Sequence, residues 1–340
     1  MSDRRGGASG RRAALLLAAA ALTVAALGGR VLANPPVHDE RRLVTISSGA
    51  VGGVYLPAAG ALCRLLNQQI EQHQFRCAVE VTDGSLQNLN ELLADETDFG
   101  LVQTDVQADA VLGRGRFAGE GAQAKLRSLF ALHAEPVTLV SRIDSGIERF
   151  EDLRGKRLSI GELQSGTQST MAMLLEAFGL AGSELARLEN MNPQSAAAAL
   201  CENRLDAFAY VVGHPNQLVR SASESCAVRI VELSGPVIER VLQAHPYITR
   251  ARIPANLYVG HEVATNTIGV RASLLSTDRL SDDAAYAITR AVFQNLPALR
   301  ALHPAFSQLA APEMLSGSTA PLHPGARRYL LEAGLAPGPP

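Results

Sequence analysis

The sequence predicts an α/β protein built from two doubly wound lobes, and three observations support this fold class. Strand-like apolar runs alternate with helical periodicity, and strands separated by helices of roughly 10 to 16 residues favour parallel sheets. A second βα series starts near residue 140 and ends near residue 260, as if inserted into the first. We therefore expect lobe 1 to comprise residues 34–139 and 260–340, and lobe 2 residues 140–259. Two crossing segments would join the lobes around a cleft, and open α/β sheets bind ligands at the carboxyl ends of their strands.

The first series has three strands, each followed by a helix. The helix over 85–95 is the clearest, because its four leucines share one helical face. The predicted strands are LVTIS (43–47), CAVEVT (77–82) and DFGLVQ (98–103), and the helices cover about 54–70, 85–95 and the residues from Thr104 onward.

The second series follows two β-rich runs, LRSLFALH and PVTLVSR. FEDLRGKRLSIG predicts a turn and a strand, and SGTQSTMAMLLEAFGL predicts a helix that stops at Gly179. Asn192 and Pro193 predict an N-cap and the first residue of the next helix. LDAFAYVV and AVRIVEL are further strands, and the strand TIGVRASLL precedes helices that run to the C-terminus.

The first 33 residues have the composition of a secretory signal. Four arginines at positions 4, 5, 11 and 12 precede an apolar run over 13–27, and Val31-Leu32-Ala33 has small residues where signal peptidase cleaves. A membrane anchor is the alternative, but the run is shorter than the roughly 20 residues that a spanning helix needs. We expect cleavage near Ala33-Asn34 and a soluble periplasmic protein, exported by either the Sec or the Tat route.

The charge and the cysteines of the remaining chain limit its partners and its chemistry. It has 26 basic and 32 acidic residues, a net charge of about −6, which argues against nucleic acid or an anionic membrane as partner. Four cysteines form two local pairs, 14 and 25 positions apart, and in an oxidising compartment these predict two disulfides. A metal site is the alternative, but the chain has no CxxC and its histidines are scattered.

Four segments share one pattern: a strand, then small polar residues, then a helix. They are SSGAVGGVY, TDGSLQN, LVQTDVQ and GELQSGTQST. Helix N-termini attract anions, glycines let a ligand approach the backbone, and Ser85, Ser165 and Thr167 would add hydroxyl donors. One such segment alone is an ordinary capped turn, whereas four at equivalent strand ends favour a shared binding site.

No pattern of a known catalytic site is present in these segments. The glycines of the first segment do not form GxGxxG, Gly155-Lys156 is followed by Arg157, and Ser165 lacks the glycine of a GxSxG elbow. We therefore expect no enzymatic activity, no cofactor and no metal.

Several polar residues beside apolar strands are candidates for ligand contacts. Asp105, Glu135, Asp206 and His214 would each bind an ammonium or hydroxyl group, or else cap a helix or pair with an arginine. Tyr55 and Tyr210 would pack on a ligand and offer a hydroxyl group, with core packing as the alternative.

The segments resemble the TAXI group of TRAP-transporter substrate-binding proteins. The matching stretches run in order from about residue 43 to 331: SSGAVGGVYLPAAGALCRLLN, VTDGSLQNLNELL, FGLVQTDVQADAVLG, FEDLRGKRLSIGELQSGT, LDAFAYVVGHPN, LHPAFSQL and APLHPGARRYL. The resemblance implies a two-lobed, type II-like periplasmic-binding-protein fold that closes on a small carboxylate or an amino acid such as glutamate. It also implies delivery of this ligand to an ion-driven TRAP membrane permease, and it supports pairing Cys63 with Cys77 and Cys201 with Cys226. We expect the protein to be a monomer.

The resemblance also assigns cleft residues, with Gly213, His214 and Pro215 at the rim of the second lobe. We add Glu135 and Tyr210 to the residues that the resemblance assigns. The predicted ligand-binding residues are then Gly53, Tyr55, Gly84, Ser85, Asn88, Gln103, Asp105, Glu135, Ser165, Gly166, Thr167, Tyr210 and His214. This chain has His133-Ala134-Glu135 where many relatives have Tyr-Pro-Glu, and GELQSGT where many have a GxPGSGT-like loop. These departures leave the ligand open, and a sensor module for a membrane signalling protein or a secreted hydrolase using Ser165 are alternative functions.

Overall fold

The computed structural model describes residues 42–335, whose strands belong to one ten-stranded sheet. The predicted signal sequence and its cleavage site lie outside these residues. The strands are β1 (Arg42–Ser47), β2 (Phe75–Glu80), β3 (Phe99–Gln103), β4 (Leu126–Arg142), β5 (Arg157–Ser159), β6 (Arg187–Glu189), β7 (Ala207–Val211), β8 (Val228–Val231), β9 (Thr249–Ile253) and β10 (Thr265–Thr277).

Helices cover both faces of the sheet's parallel parts, and none of those described is long and apolar enough to cross a lipid bilayer. The α-helices are α1 (Tyr55–Asn67), α2 (Ile70–His73), α3 (Ser85–Leu93), α4 (Thr104–Leu112), α5 (Gly166–Ala177), α6 (Pro193–Cys201), α7 (Gln217–Ser225), α8 (Pro236–Ala244), α9 (Asp282–Gln294), α10 (Leu296–Leu302), α11 (Ala311–Met314) and α12 (Pro324–Glu332). Short 3-10 helices cover Gly115–Gly119, Ile143–Ser145, Phe150–Leu153, Gly182–Glu184 and Pro304–Phe306.

The strand order is β2-β1-β3-β10-β4-β7-β5-β6, with β8 also paired to β4 and β9 to β10. Strand β1 is parallel to β2 and β3, and β5 is parallel to β6 and β7, whereas β10 runs antiparallel to β3 and β4. We call β1–β3 with α1, α3 and α4 the first βα group, and β5–β7 with α5 and α6 the second βα group. The sheet is therefore mixed, with two parallel groups joined through antiparallel strands.

Strand β4 carries the chain from the first βα group to the second. The two expected β-rich runs form this one strand of 17 residues, which passes through Pro136. Residues on the N-terminal side of Val137 pair with β10, and those from Val137 onward pair with β7 and β8. Proline has no N–H to donate to a neighbouring strand. It is tolerated in β4 because the strand changes its pairing partners at this point.

Local signals in the sequence position the helices that carry the site. The Oγ of Ser165 accepts a hydrogen bond from Gln168 N at 3.2 Å and caps α5. The Oδ1 of Asn192 accepts one from Ser195 N at 2.7 Å and caps α6, with Pro193 as its first residue. Gly179 follows the end of α5 with a φ of +62°, the left-handed conformation of a helix stop. The cap at Asn192, with Pro193 after it, and the stop at Gly179 confirm the predicted boundaries, whereas Ser165 was not predicted as a cap.

Two disulfides and a set of buried aromatic rings stabilise the fold. Cys63 of α1 is bonded to Cys77 of β2, and Cys201 at the end of α6 is bonded to Cys226 after α7. The fully buried phenylalanines are Phe99, Phe130, Phe150, Phe208 and Phe306. Burying one such side chain contributes about 1.5–3 kcal/mol. Phe99 of the first βα group and Phe208 of the second belong to the same buried cluster, which joins the two groups behind the site.

Candidate functional site

A small cavity lies between the first and second βα groups, where the strands of both end. Its floor and walls come from the β1–α1 loop, the start of α3, the β5–α5 loop and the end of β7. The centres of water-sized molecules can occupy about 50 Å³ of it. Since one such molecule needs roughly 10–15 Å³ by this measure, the innermost part of the cavity suits a small ligand. The cavity adjoins an open groove, with which it shares Ala50, Asp83, Glu162 and Pro193.

The N-termini of α1 and α5 face this cavity, because Gly53 to Tyr55 and Ser165 to Thr167 line it. The first amides of a helix have no partner within the helix, and the helix dipole gives them a partial positive charge. The start of α3 differs from our expectation of open amides. Leu86 N and Gln87 N donate to the carbonyl oxygen of Gln164 at 3.0 and 3.2 Å, which ties α3 to the β5–α5 loop. The amides available for an anion are therefore those of α1 and α5.

Glycines allow the two βα groups to touch across the cavity. A Cβ atom on Gly166 would lie 2.1 Å from Gln103 Oε1 and 2.7 Å from Ser85 Oγ. A Cβ atom on Gly53 would lie 2.8 Å from the hydroxyl oxygen of Tyr210. Since neither position has room for a methyl group, these glycines permit the close approach that encloses the cavity.

Two tyrosine hydroxyls and one buried carboxylate form the polar end of the cavity. The Tyr55 hydroxyl donates to Glu135 Oε2 at 2.9 Å, and both side chains are buried. Burial, and then the charge of Glu135, raises the pKa of Tyr55 well above its usual value. Burial also raises the pKa of Tyr210, with smaller contributions from the charges of Glu135 and Glu162. Both tyrosines are therefore neutral hydrogen-bonding groups at neutral pH.

The side chains that line the cavity are acidic. Asp83, Glu135 and Glu162 contribute carboxyl groups, and no lysine, arginine or histidine is among the described lining residues. Burial raises the pKa of Glu162, and the nearby charge of Asp83 raises it further. A ligand here meets partial positive charge from two helix N-termini and negative charge from carboxylates.

Asn88 lies behind the cavity wall and does not line the cavity. Its amide nitrogen donates to the carbonyl oxygens of Ser48 and Leu101 at 2.7 and 2.6 Å. Its Oδ1 accepts a hydrogen bond from Thr82 Oγ1 at 2.6 Å. Because these partners satisfy the side chain, Asn88 positions the β1–α1 loop and the start of α3.

Asp105 joins α4 to α5 and also lies outside the cavity lining. Its carboxylate accepts hydrogen bonds from Thr170 Oγ1 at 2.5 Å and from Val106 N at 2.8 Å. Burial raises the pKa of Asp105 from 3.8 to about 7, although both hydrogen bonds oppose this shift. The residue links the two βα groups through a pH-sensitive contact.

His214 lies outside the cavity, next to a cis peptide bond with Pro215. Its Nε2 is 2.8 Å from Thr138 Oγ1 and its Nδ1 is 2.5 Å from the Tyr258 hydroxyl. Burial, and then the charge of His261, lowers its pKa to about 4. Both ring nitrogens are satisfied by protein groups, so His214 has a structural role.

Asp206 also has a structural role, because its carboxylate accepts hydrogen bonds from the guanidinium group of Arg157. Hydrogen bonding to Arg157 is the main cause that lowers the pKa of Asp206. Of the roles that we considered for Asp206, pairing with an arginine is therefore the one that the structure shows.

Ten of the thirteen predicted ligand-binding residues line the cavity, and Asn88, Asp105 and His214 do not. Direct ligand contact by those ten stays a prediction. The ten are Gly53, Tyr55, Gly84, Ser85, Gln103, Glu135, Ser165, Gly166, Thr167 and Tyr210. The prediction missed the acidic residues Asp83 and Glu162, although both belong to the strand-turn-helix segments that identified their neighbours. It also missed Pro193, Val211 and Val212, which carry no polar signal. Within residues 42–335, no group of three or more metal-ligating side chains comes together.

Solved structures share the fold of this chain at low sequence identity. MatC from Rhodopseudomonas palustris with bound malate is 13% identical with a TM-score of 0.53, over 80% of this chain and 90% of that chain. The periplasmic binding protein BugD is 13% identical with a TM-score of 0.50, over 77% of this chain and 85% of that chain. These similarities confirm the predicted two-lobed periplasmic-binding-protein fold.

One family model spans nearly all of the described residues. The model of the NMT1-like family matches residues 46–334, from the end of β1 to the residues after α12. Since this match covers far more than half of the chain, we conclude that the protein belongs to the NMT1-like family.

Proposed function

We propose that this protein is an extracytoplasmic solute receptor that binds a small amino acid and delivers it to a TAXI-type TRAP permease. The observation that carries the proposal is the small cavity between the two βα groups, in which helix N-termini face acidic side chains. The NMT1-like family, the fold shared with a protein described as a periplasmic binding protein and the resemblance of the sequence to TAXI receptors support it. The predicted signal sequence supports a periplasmic location for this function.

The charges of the cavity favour an amino acid over a simple carboxylate. The amides of α1 and α5 would hold the ligand's carboxylate, as helix N-termini hold anions. Glu135 and Glu162 would hold an ammonium group, and a positive charge about 4 Å from one carboxylate gains roughly 4 kcal/mol at a surface-like dielectric constant, before desolvation. A dicarboxylate would instead meet three like charges with no cationic side chain to offset them. MatC is described with malate, so a dicarboxylate is the alternative to test.

Ligand binding would favour the closed arrangement, because both βα groups contribute to the cavity. Gly53, Tyr55 and Ser85 come from the first group, and Gly166, Thr167 and Tyr210 come from the second. A ligand that contacts both groups shifts the population toward closure by its differential affinity for the two states. The closed form would then be the form that the permease recognises.

A secreted hydrolase using Ser165 is the weaker alternative. The Ser165 hydroxyl donates to Glu162 O at 2.7 Å and caps α5, and no histidine is among the described residues that line the cavity. A nucleophilic serine needs a neighbouring base, which this arrangement lacks. A Ser165→Ala variant that keeps ligand binding, in a protein without turnover, would exclude the hydrolase. A sensor module remains the other alternative, and a permease gene beside this gene would favour transport.

A thermal-shift assay with matched ligand pairs tests the ligand class. L-glutamate is compared with 2-oxoglutarate, and L-alanine with pyruvate, because each pair exchanges an ammonium group for a keto oxygen. An amino acid at 100 times its Kd adds about 2.7 kcal/mol and raises the Tm by a few degrees. A Glu135→Gln variant should lose most of this shift, whereas Glu148→Gln, whose side chain is 71% exposed and does not line the cavity, should keep it.

The outcomes of this assay separate the receptor function from the ligand class. Equal shifts with both members of each pair would refute the role of the ammonium group and leave a carboxylate receptor. If a screen of amino acids and of di- and tricarboxylates gives no shift, the proposed function itself is wrong.

A further inference from the structure

A second concave surface lies beside the ligand cavity, on strands β4, β9 and β10. We call it the arginine groove and define it by His133, His214, Arg252, Arg271 and Glu313, which line it. By the measure that gives about 50 Å³ for the ligand cavity, the groove offers about 470 Å³. The two share none of their lining residues, so the groove is a separate site.

Buried polar atoms without partners are concentrated in this groove. Six buried side-chain nitrogen and oxygen atoms of the described residues lack a hydrogen-bond partner, and three of the six belong to His133 and Arg271. They are both ring nitrogens of His133, whose side chain is completely buried, and Nε of Arg271. Buried polar groups in native proteins are almost always hydrogen-bonded, and an orphaned group calls for a bound water or ion. The groove therefore has one guanidinium N–H and one imidazole ring without hydrogen-bond partners.

The charges of the groove favour a negatively charged molecule. Arg271 donates from Nη2 to Leu132 O at 2.5 Å, and its nearest carboxylate is Glu313, 3.8 Å from Nη1 and 58% exposed. Burial lowers the pKa of Arg271, and the charge of Glu313 only partly opposes this. The guanidinium group of Arg252 is exposed and makes no hydrogen bond or ion pair with other described residues. Two arginines thus line the groove. Of the carboxylates nearby, Glu313 pairs with Arg271 and Glu135 lies 3.6 Å from His133, so the charge of Arg252 has no ion-pair partner among the described residues.

We propose that the arginine groove binds a small oxyanion, of the phosphate, sulfate or carboxylate class, between Arg252 and Arg271. A guanidinium group presents a planar fork of N–H donors that matches an oxyanion and is often bidentate. His133 contributes a ring nitrogen from the buried side of the groove. His214 contributes none, because Thr138 and Tyr258 already satisfy both of its nitrogens.

Binding in the groove would be connected to the ligand cavity through a short path of side chains. His133 Nε2 lies 3.6 Å from Glu135 Oε1, and Glu135 accepts the hydrogen bond of Tyr55 in the ligand cavity. An anion that orients the His133 ring therefore acts next to the carboxylate that we assign to the ligand's ammonium group. The proposed oxyanion site does not depend on that role of Glu135, because the site is formed by residues of the arginine groove alone.

Titration calorimetry with inorganic phosphate, at constant ionic strength set by chloride, tests the proposal on protein produced from the full-length sequence. We expect saturable binding of one phosphate per chain. Arg252→Gln should weaken it roughly twofold to fivefold, as expected for an exposed charge pair, and Glu313→Gln should strengthen it by a similar factor. Arg271→Gln should abolish binding. Arg116→Gln, an exposed arginine outside the groove, and Glu148→Gln are the matched controls and should leave the affinity unchanged.

The opposite effects of Arg252→Gln and Glu313→Gln locate the anion without relying on Arg271→Gln, which also removes a buried contact. If phosphate does not bind saturably, or if the groove variants behave like their controls, the oxyanion site does not exist. Because the readout is phosphate and not an amino acid, this result is independent of the proposed receptor function.

Discussion

The buried carboxyl group of Asp105 makes the stability of this protein depend on pH. Its pKa is raised from 3.8 to about 7 in the folded state by burial. The folded state therefore holds the proton more tightly than the unfolded chain. The stabilisation is fully present below pH 3.8, is lost as the pH rises through 7, and changes little at higher pH. A shift of about three pKa units corresponds to roughly 4 kcal/mol, of which roughly 2 to 3 kcal/mol falls between pH 5 and pH 8.

An Asp105→Asn variant removes this ionisation and keeps an oxygen that can accept the hydrogen bond of Thr170. We expect the free energy of unfolding of the wild type to fall by roughly 2 to 3 kcal/mol relative to the variant between pH 5 and pH 8. Urea denaturation at pH 5, 6, 7 and 8 measures this difference. The new amide NH2 adds a cost that does not depend on pH, so the slope and not the absolute stability is the readout. Asp144→Asn, at a side chain that is 74% exposed, is the control. A constant difference in the free energy of unfolding between wild type and Asp105→Asn across this range would show that Asp105 does not take up a proton on folding.

Three further variants test the cavity, a disulfide and the core. Gly166→Ala should weaken ligand binding roughly tenfold, about 1.4 kcal/mol, because its methyl group would meet Gln103 across the closed cavity; an undiminished ligand-induced thermal shift would contradict this. Replacing both Cys201 and Cys226 by serine should lower the free energy of unfolding in urea by about 3 kcal/mol, and no loss would mean that this disulfide does not constrain the unfolded chain. Phe208→Ala should cost about 3–5 kcal/mol in the same assay, since the ring is fully buried, and a loss below 1 kcal/mol would show that the core collapses around the gap.

Much of the local structure is predictable because its causes lie close together in the sequence. Ser165 and Asn192 cap the helices that follow them, with hydrogen bonds to backbone amides three residues later. Gly179 ends α5 because glycine has no Cβ atom and adopts a positive φ without steric strain. The same pattern of strand, small polar residues and helix placed most of the predicted binding residues on the cavity.

The merging of two expected β-rich runs into β4 depends on distant residues. Pro136 argues against a continuous strand when the sequence is considered alone. The strand continues because β10 pairs with it before Pro136, and β7 and β8 pair with it afterwards. The change of pairing partners at Pro136 cannot be predicted from the residues of β4 alone, because the partner strands β7, β8 and β10 are far away in the sequence.

Patterns within short stretches of sequence predict the α/β class, the cap at Asn192, the two cysteine pairs and the segments that surround the cavity. Only the tertiary structure decided which polar side chains remain available to a ligand. Asn88, Asp105 and His214 have the same polar character as their neighbours, but partners up to 76 residues away satisfy their hydrogen bonds. Asp83 and Glu162 lie far apart in the chain, and folding places both carboxylates on one cavity. A hydrogen bond or a charge depends on distances in space, and those distances are set when the two βα groups pack together.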